Sequence, residues 1–148
     1  MAYKIFDLTV FVQGVTGRDV YNTYDAQMTS GEWGHFSNYP AHFDPYIDGV
    51  GSDPRPIWDN GHGNNLPSTR FIENGAYLRL KNVQLGVTLP ENRIGEFRFY
   101  LSGQNLLTLT KYKGLDPEFI GGDVFTQGID PRGYPVVRTF TFGIDLTF

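Results

Sequence analysis

The chain has 148 residues, a formal net charge of -4 and no cysteine. The lack of cysteine excludes a disulfide framework and thiol chemistry, and the mild acidity without a basic cluster argues against a nucleic-acid partner. No run of about 18 apolar residues is present, so the sequence predicts no transmembrane helix. Aromatic residues make up 16% of the chain, which contains 18 glycines and 9 prolines. This composition favours an all-β protein with large loops.

The first predicted element is a β-strand over residues 3–14. Apolar and polar residues alternate along it and give it two different faces: Phe6, Leu8, Val10 and Val12 on one, and Asp7, Thr9 and Gln13 on the other. Residues 1–4 lead directly into this pattern and do not resemble a signal peptide. We therefore expect the chain to be the tail of a longer protein.

A very long connection follows over residues 15–75, and connections of this size are uncommon in compact soluble domains. A short helix is predicted within it around Asp19–Met28. The connection also carries six aromatic residues: Trp33, Phe36, Tyr39, Phe43, Tyr46 and Trp58. Exposed rings can stack on sugars or contact a partner protein, and the alternative is that they pack the connection onto itself.

The second predicted strand, over residues 76–88, changes phase midway. The step of three positions from Leu80 to Val83 is odd, so it divides the apolar residues into two sets: Leu78 and Leu80, then Val83, Leu85 and Val87. A β-bulge near Lys81–Asn82 would bring both sets to one face. The alternative is a strand without a bulge, part of which faces the opposite side.

A short connection with proline and asparagine spans residues 89–95, and the third strand is predicted over 96–110. Residues 111–135 form another long connection before the fourth strand, over 136–148. Long and short connections thus alternate, as the long outer loops and short periplasmic turns of membrane barrels do. Each strand reaches the roughly 9–11 residues that cross a bilayer when tilted.

The fourth strand has the clearest period of two. Its apolar positions end on an aromatic residue at the end of the chain: Phe140, Phe142, Ile144, Leu146 and Phe148. Such a strand suits a membrane barrel, with lipid on one side and a wet lumen on the other. It also suits a soluble β-sandwich, and a carbohydrate-binding module of that kind is the alternative interpretation.

Four stretches resemble the SusC/RagA family of TonB-linked outer-membrane transporters of Bacteroidota. The similar family patterns are "FDlsiffqG…nDvYN" for residues 6–22, "edGsYlRLKNltLGYtLP" for 71–90, "GqNLfTfTkYsGyDPE" for 103–118 and "YPqpRtftfGlnltF" for 134–148. Ala76 replaces the usual serine, and Val87 the usual tyrosine. Together with the connections between the last three stretches, the resemblance extends over about two thirds of the chain.

The resemblance implies an all-β fold of antiparallel up-and-down strands, forming part of a large transmembrane β-barrel with long extracellular loops. It implies the C-terminal fragment of an outer-membrane importer of glycans or peptides. The implied partners are the remainder of the barrel and plug, a SusD-like surface lipoprotein, TonB through segments absent from this chain, the barrel assembly machinery and the lipid bilayer. Because four strands cannot close a ring, we expect no transport by this chain alone.

The resemblance also suggests roles for particular side chains. The five apolar residues of the fourth strand would form the C-terminal barrel-assembly signal. Trp33, Tyr39, Tyr46 and Trp58 are candidate loop contacts to a ligand or to the lid partner. Arg79 and Arg98 are expected to face the lumen, because a charge facing lipid would cost about 2–4 kcal/mol near mid-bilayer. An aromatic girdle at the strand ends would include Tyr77, Tyr112 and Tyr134.

Catalytic, cofactor and metal sites are not predicted. The three histidines, His35, His42 and His62, lack the spacing of metal ligands. Asp116, Glu118 and Asp123 could offer oxygen ligands to Ca²⁺, but Asp116-Pro117 is also ordinary turn chemistry. No serine lies in a nucleophile motif, and we expect no enzyme.

Overall fold

A computed structural model describes residues 2–29, 45, 47, 50–55, 63–64, 66–90, 95–119 and 125–148. In chain order its elements are β1 Ala2–Tyr3, β2 Phe6–Val15, β3 Asp19–Tyr21, α1 Thr23–Met28, a 3-10 turn Thr69–Phe71, β4 Ile72–Asn74, β5 Tyr77–Thr88, β6 Glu96–Thr110 and β7 Thr139–Thr147. Within these ranges, no helix has the length and apolar character needed to cross a membrane.

The chain divides into two compact units. The sheet unit comprises Met1–Val15, Tyr77–Thr110 and Val136–Phe148, and the loop unit comprises Thr16–Ala76 and Lys111–Pro135. The sheet unit is one five-stranded sheet in the order β1-β2-β5-β6-β7, and all its pairings are antiparallel. The predicted all-β, antiparallel fold is therefore confirmed.

Two strand limits differ from the sequence predictions by more than one residue. The first strand is interrupted at Lys4–Ile5, where Tyr3 pairs with Phe6 across a tight turn and Lys4 has a φ of 55°. The fourth strand begins at Thr139, which pairs with Gln104 on β6. The next residue on β6 is Asn105 with a φ of 52°, and a left-handed residue breaks the extended ladder that residues 136–138 would need.

The predicted β-bulge is confirmed at Lys81. Against β2, the pairing passes from Phe11–Asn82 to Val12–Leu80 and omits Lys81. Against β6, it passes from Asn82–Gln104 to Leu80–Leu107, so that β6 contributes the additional residue. This irregularity places the two apolar sets of β5 on one face: Leu78 and Leu85 are each 49% exposed.

The pairing register gives the sheet two chemically distinct sides. One side, the apolar face, consists of Phe6, Leu8, Val10, Val12, Leu78, Leu80, Val83, Leu85, Val87, Phe97, Phe99, Leu101, Leu107, Leu109, Phe140, Phe142, Ile144 and Leu146. The opposite side, the polar face, carries Asp7, Thr9, Gln13, Arg79, Asn82, Gln84, Arg98, Tyr100, Ser102, Gln104, Thr108, Thr139, Thr141 and Asp145. Phe11 is an apolar exception on the polar face.

The loop unit contains the two-stranded β3–β4 sheet and α1. The helix was predicted from Asp19, but it begins only at Thr23, because Asp19–Tyr21 pairs with β4 as a strand and fully buries Val20. Asn22 caps the helix by accepting a hydrogen bond from the backbone of Asp25. Phe71 is also fully buried, so this unit has a small core of its own.

Candidate functional site

The predicted assembly-signal residues lie on the apolar face of β7 or directly after it. Their side chains are highly accessible: Phe140 71%, Phe142 66%, Ile144 56%, Leu146 39% and Phe148 98%. The same holds across the sheet, for example at Val10 (52%) and Leu101 (55%). A continuous apolar surface spanning four strands marks a contact with lipid or with another protein.

The polar face carries a charged cluster centred on Arg98. Its Nη2 and Nε atoms lie 2.9 Å and 3.3 Å from the two carboxylate oxygens of Asp7, and its Nη1 atom lies 3.0 Å from Asp145 Oδ2. Asp7 reaches across β5 because Gly86 is there: the Asp7 carboxylate occupies the space that a β-carbon at position 86 would need. The guanidinium therefore links strands β2, β6 and β7.

Arg79 lies on the same face and is only 2% exposed. Its Nε atom donates a hydrogen bond to Thr108 Oγ1 at 2.8 Å, and its guanidinium lies 5.7 Å from the centre of the Tyr77 ring. Arg79 and Arg98 both lie on the polar face, and the prediction that this side faces the lumen stays a prediction. Their placement follows from the high cost of a cation in hydrocarbon.

In the loop unit, Glu73 joins separate chain segments. Its Oε1 atom accepts a hydrogen bond from Asn22 Nδ2 at 3.0 Å, and its Oε2 atom accepts one from the backbone of Lys113 at 2.9 Å. Sequence reasoning missed both side chains. Asn22 had a local signal as a helix cap, whereas Glu73 had none, because its side-chain partner lies 51 residues away.

Tyr112 and Asp130 form a second buried link in the loop unit. The Tyr112 hydroxyl donates to Asp130 Oδ2 at 2.5 Å, and the backbone of Arg132 donates to Oδ1 at 2.7 Å. The Thr23 hydroxyl also donates to the Asp130 carbonyl oxygen. Burial, followed by the Asp130 carboxylate, raises the pKa of Tyr112 well above its usual value. This tyrosine therefore stays neutral and acts as a hydrogen-bond donor.

The girdle prediction is wrong for two of its three tyrosines. Tyr77 and Tyr112 are each 6% exposed, so neither ring is available to a membrane interface. Tyr112 is held inward by its hydrogen bond to Asp130, a contact that no local sequence pattern indicates. Tyr134 is 88% exposed.

The other candidate residues fall into two groups. Asp116 Oδ1 accepts a hydrogen bond from the Glu118 backbone at 2.8 Å, which is turn geometry, and Asp123 lies outside the described residues. Over the part of the chain that the structure describes, no three acidic, histidine or cysteine side chains are grouped to hold a metal ion. Also outside the described residues lie Trp33, Tyr39, Tyr46, Trp58, His35, His42 and His62.

Comparison with known proteins gives a consistent result, although no family model matches the chain. TonB-dependent receptor P3 of Formosa agariphila is 34% identical, and TonB-dependent receptor SusC of Bacteroides thetaiotaomicron is 30% identical. Both matches include the whole of this chain but only 15% and 14% of the relatives, so the chain spans a small part of their length.

Among solved structures, the RagAB peptide transporter matches with a TM-score of 0.67 and 26% identity, covering 99% of this chain and 16% of the matched chain. These similarities point to the same class of protein as the antiparallel sheet and its exposed apolar face. The chain therefore belongs to the SusC/RagA family of TonB-dependent outer-membrane receptors, as a C-terminal segment of the transmembrane β-barrel.

Proposed function

We propose that this segment forms part of the barrel wall and outer vestibule of a SusC-like importer, which takes up glycans or peptides with energy delivered through TonB. The observation that supports this best is the two-sided sheet. Its apolar face exposes large side chains such as Phe142 (66%), while its polar face carries the Arg98 ion pairs. In a membrane barrel the first side would contact lipid and the second would line the interior.

The connections fit this orientation. The tight Lys4–Ile5 turn and the short 89–95 connection leave the sheet at one end, where Phe6 pairs with Val87. The long connections leave at the other end, after Val15 and Thr110. We assign the short end to the periplasm and the long connections to the cell surface. The long connections would then contribute to the vestibule where substrate first binds.

Partners follow from the same proposal. A SusD-like surface lipoprotein would dock on the outer loops, and the remainder of the barrel, the plug and the TonB-contacting region would come from other segments of the receptor. Trp33, Tyr39, Tyr46 and Trp58 are proposed as contacts to ligand or to that lipoprotein. The apolar residues of β7 with Phe148 are proposed as the signal read by the barrel assembly machinery.

The substrate class can be divided into two candidates. The similarity to a structure described as a peptide transporter supports peptides. The aromatic residues of the first long connection, which can stack on sugar rings, support glycans. A strain lacking the receptor gene should lose growth on one of these two nutrient classes and regain it with the whole gene. Unchanged growth on both would contradict the import proposal.

The orientation is tested with neighbouring cysteine substitutions in the whole receptor, made practical because this chain has no cysteine of its own. Gln84→Cys lies on the polar face and Leu85→Cys on the apolar face of the same strand. In isolated outer membranes, a membrane-impermeant maleimide should label position 84, and only a lipid-soluble maleimide should label position 85. The matched pair differs by one residue, so depth in the membrane is nearly constant.

Two outcomes would contradict the proposal. Equal labelling of both positions by the impermeant reagent would mean that neither side faces lipid. Recovery of the chain as a cooperatively folded soluble monomer, with Leu85→Cys protected from both reagents, would favour the alternative of a soluble β-sandwich that binds carbohydrate.

A further inference from the structure

The apolar–polar alternation of β7 does not by itself define its register against β6. A slip by one residue would exchange the two faces, so the pattern excludes it. A slip by two residues would leave Phe140, Phe142, Ile144 and Leu146 on the apolar face. Leu101, which pairs with Phe142, would then face Phe140 or Ile144 instead. Apolar contacts alone therefore distinguish poorly between the observed register and these two alternatives.

The first discriminating contact on the polar face is between Tyr100 and Gly143. The two residues are direct partners, and the Tyr100 ring occupies the space that a β-carbon at position 143 would need. A slip by two residues would bring Thr141 or Asp145 opposite Tyr100. Each has the β-carbon that glycine lacks, so the ring would have to leave its position.

The second discriminating contact is between Arg98 and Asp145, which are also direct partners, with Nη1 and Oδ2 3.0 Å apart. Arg98 cannot readily follow a displaced Asp145, because Asp7 on the far side holds the same guanidinium through two atoms. A slip in one direction would place Asp145 opposite Glu96, a pair of like charges, and in the other it would place Thr147 opposite Arg98.

We propose that Tyr100 and Arg98 of β6 set the register of β7 by matching Gly143 and Asp145. The two contacts lie in neighbouring rows of the polar face, and one of them is steric while the other is electrostatic. Every even slip violates both. The proposal concerns strand pairing and does not depend on which substrate the receptor imports.

The register can be read directly with cysteine pairs in the whole receptor. Leu101→Cys with Phe142→Cys reports the observed register, since direct cross-strand partners lie within disulfide range. Leu101→Cys with Phe140→Cys, or with Ile144→Cys, reports the two slips, because diagonal neighbours lie about 7–8 Å apart. We expect oxidation to cross-link only the first pair in otherwise unchanged receptor.

Removing both contacts, with Tyr100→Ala and Arg98→Gln together, should increase cross-linking of the slip-reporting pairs at least tenfold. Gln104→Ala is the matched control, because it changes another polar-face residue of β6 and should leave the pattern unchanged. If the double variant assembles into membranes and still cross-links only the 101–142 pair, the proposal is wrong.

A second test remains informative if the double variant fails to fold. Gly143→Ala alone should reduce the amount of SDS-resistant, folded receptor in the outer membrane at least fivefold, because its β-carbon meets the Tyr100 ring. Adding Tyr100→Ala should restore most of that loss by vacating the space. Wild-type assembly of Gly143→Ala, or no restoration by the second change, would overturn the steric half of the proposal.

Discussion

A positive charge on the apolar face should be far more damaging than the same charge on the adjacent residue. Val10→Arg and Thr9→Arg form a matched pair, since both positions are β-branched and exposed in neighbouring rows of β2. The ten residues of β2 extend about 33 Å at 3.3 Å per residue. With a tilt near 40°, this length spans the roughly 25 Å apolar band of a barrel, so Val10 lies close to its middle.

The expected cost of Val10→Arg is therefore about 2–4 kcal/mol, the range for arginine facing lipid near the bilayer midplane. This corresponds to a loss of about 30-fold to about 1,000-fold in the ratio of folded to unfolded receptor. Thr9→Arg would project into the wet interior and should cost less than about 1 kcal/mol. The measured quantity is the difference in unfolding free energy between the two variants, because effects common to any arginine substitution on β2 largely cancel in it.

The assay is the folded fraction of the receptor in phospholipid vesicles across a urea series, with the same comparison in outer-membrane fractions of producing cells. Val10→Arg should shift the transition to lower urea, while Thr9→Arg should follow the unsubstituted receptor. Equal destabilisation by both variants would refute the two-sided assignment. Greater destabilisation by Thr9→Arg would indicate that the polar face, and not the apolar face, contacts lipid.

Three further predictions concern single side chains. Phe148→Ala should lower the yield of folded receptor in the outer membrane several-fold without changing its synthesis, as immunoblots of whole cells and membranes would show; an unchanged yield would remove Phe148 from the proposed signal. Gly86→Val should lower the free energy of unfolding in urea by about 1–3 kcal/mol, because its side chain would displace the Asp7 carboxylate. Gly133→Ala should leave that free energy nearly unchanged, because its β-carbon would meet no described atom within 4 Å. Tyr112→Phe should cost about 1–3 kcal/mol by leaving the buried Asp130 carboxylate without its phenol donor. Because the pKa of Tyr112 is raised in the folded state, its contribution to the free energy of unfolding is complete below about pH 10, the pKa of an unfolded tyrosine, and is lost as pH rises through the folded pKa. The difference in tyrosinate absorbance between the unsubstituted receptor and Tyr112→Phe should therefore stay near zero until the protein unfolds.

The sheet could largely be predicted from sequence because its information is local. A period of two assigns each side chain to a face, and a change of phase within one strand indicated a bulge near Lys81–Asn82, with a strand without a bulge as the alternative. The structure has the irregularity at Lys81. The start of β7 could not be predicted in this way. It depends on the left-handed backbone of Asn105 on the neighbouring strand, and asparagine is only one of the residues that adopt that conformation.

The turn at Lys4–Ile5 and the loop unit show a different limitation. Lysine with a φ of 55° is not a turn signal, so the sequence indicated one uninterrupted strand. In the loop unit, side-chain hydrogen bonds join residues far apart in the chain, such as Asn22 and Glu73. The sequence near either residue does not indicate its partner. Such pairings become visible only when the backbone has brought the segments together.

The irregularities at Lys81 and Asn105 also have a geometric consequence for the wall. Between the row of Phe6, Val87 and Phe99 and the row of Val15, Tyr77 and Thr110, β2 advances nine residues, β5 ten and β6 eleven. A bulge inserts a residue into one strand and bends it, so the stagger between neighbouring strands changes at this level of the wall. In a closed barrel this stagger, together with strand number, sets the diameter. The residues inserted in β5 and β6 would therefore help to set the width of the completed barrel.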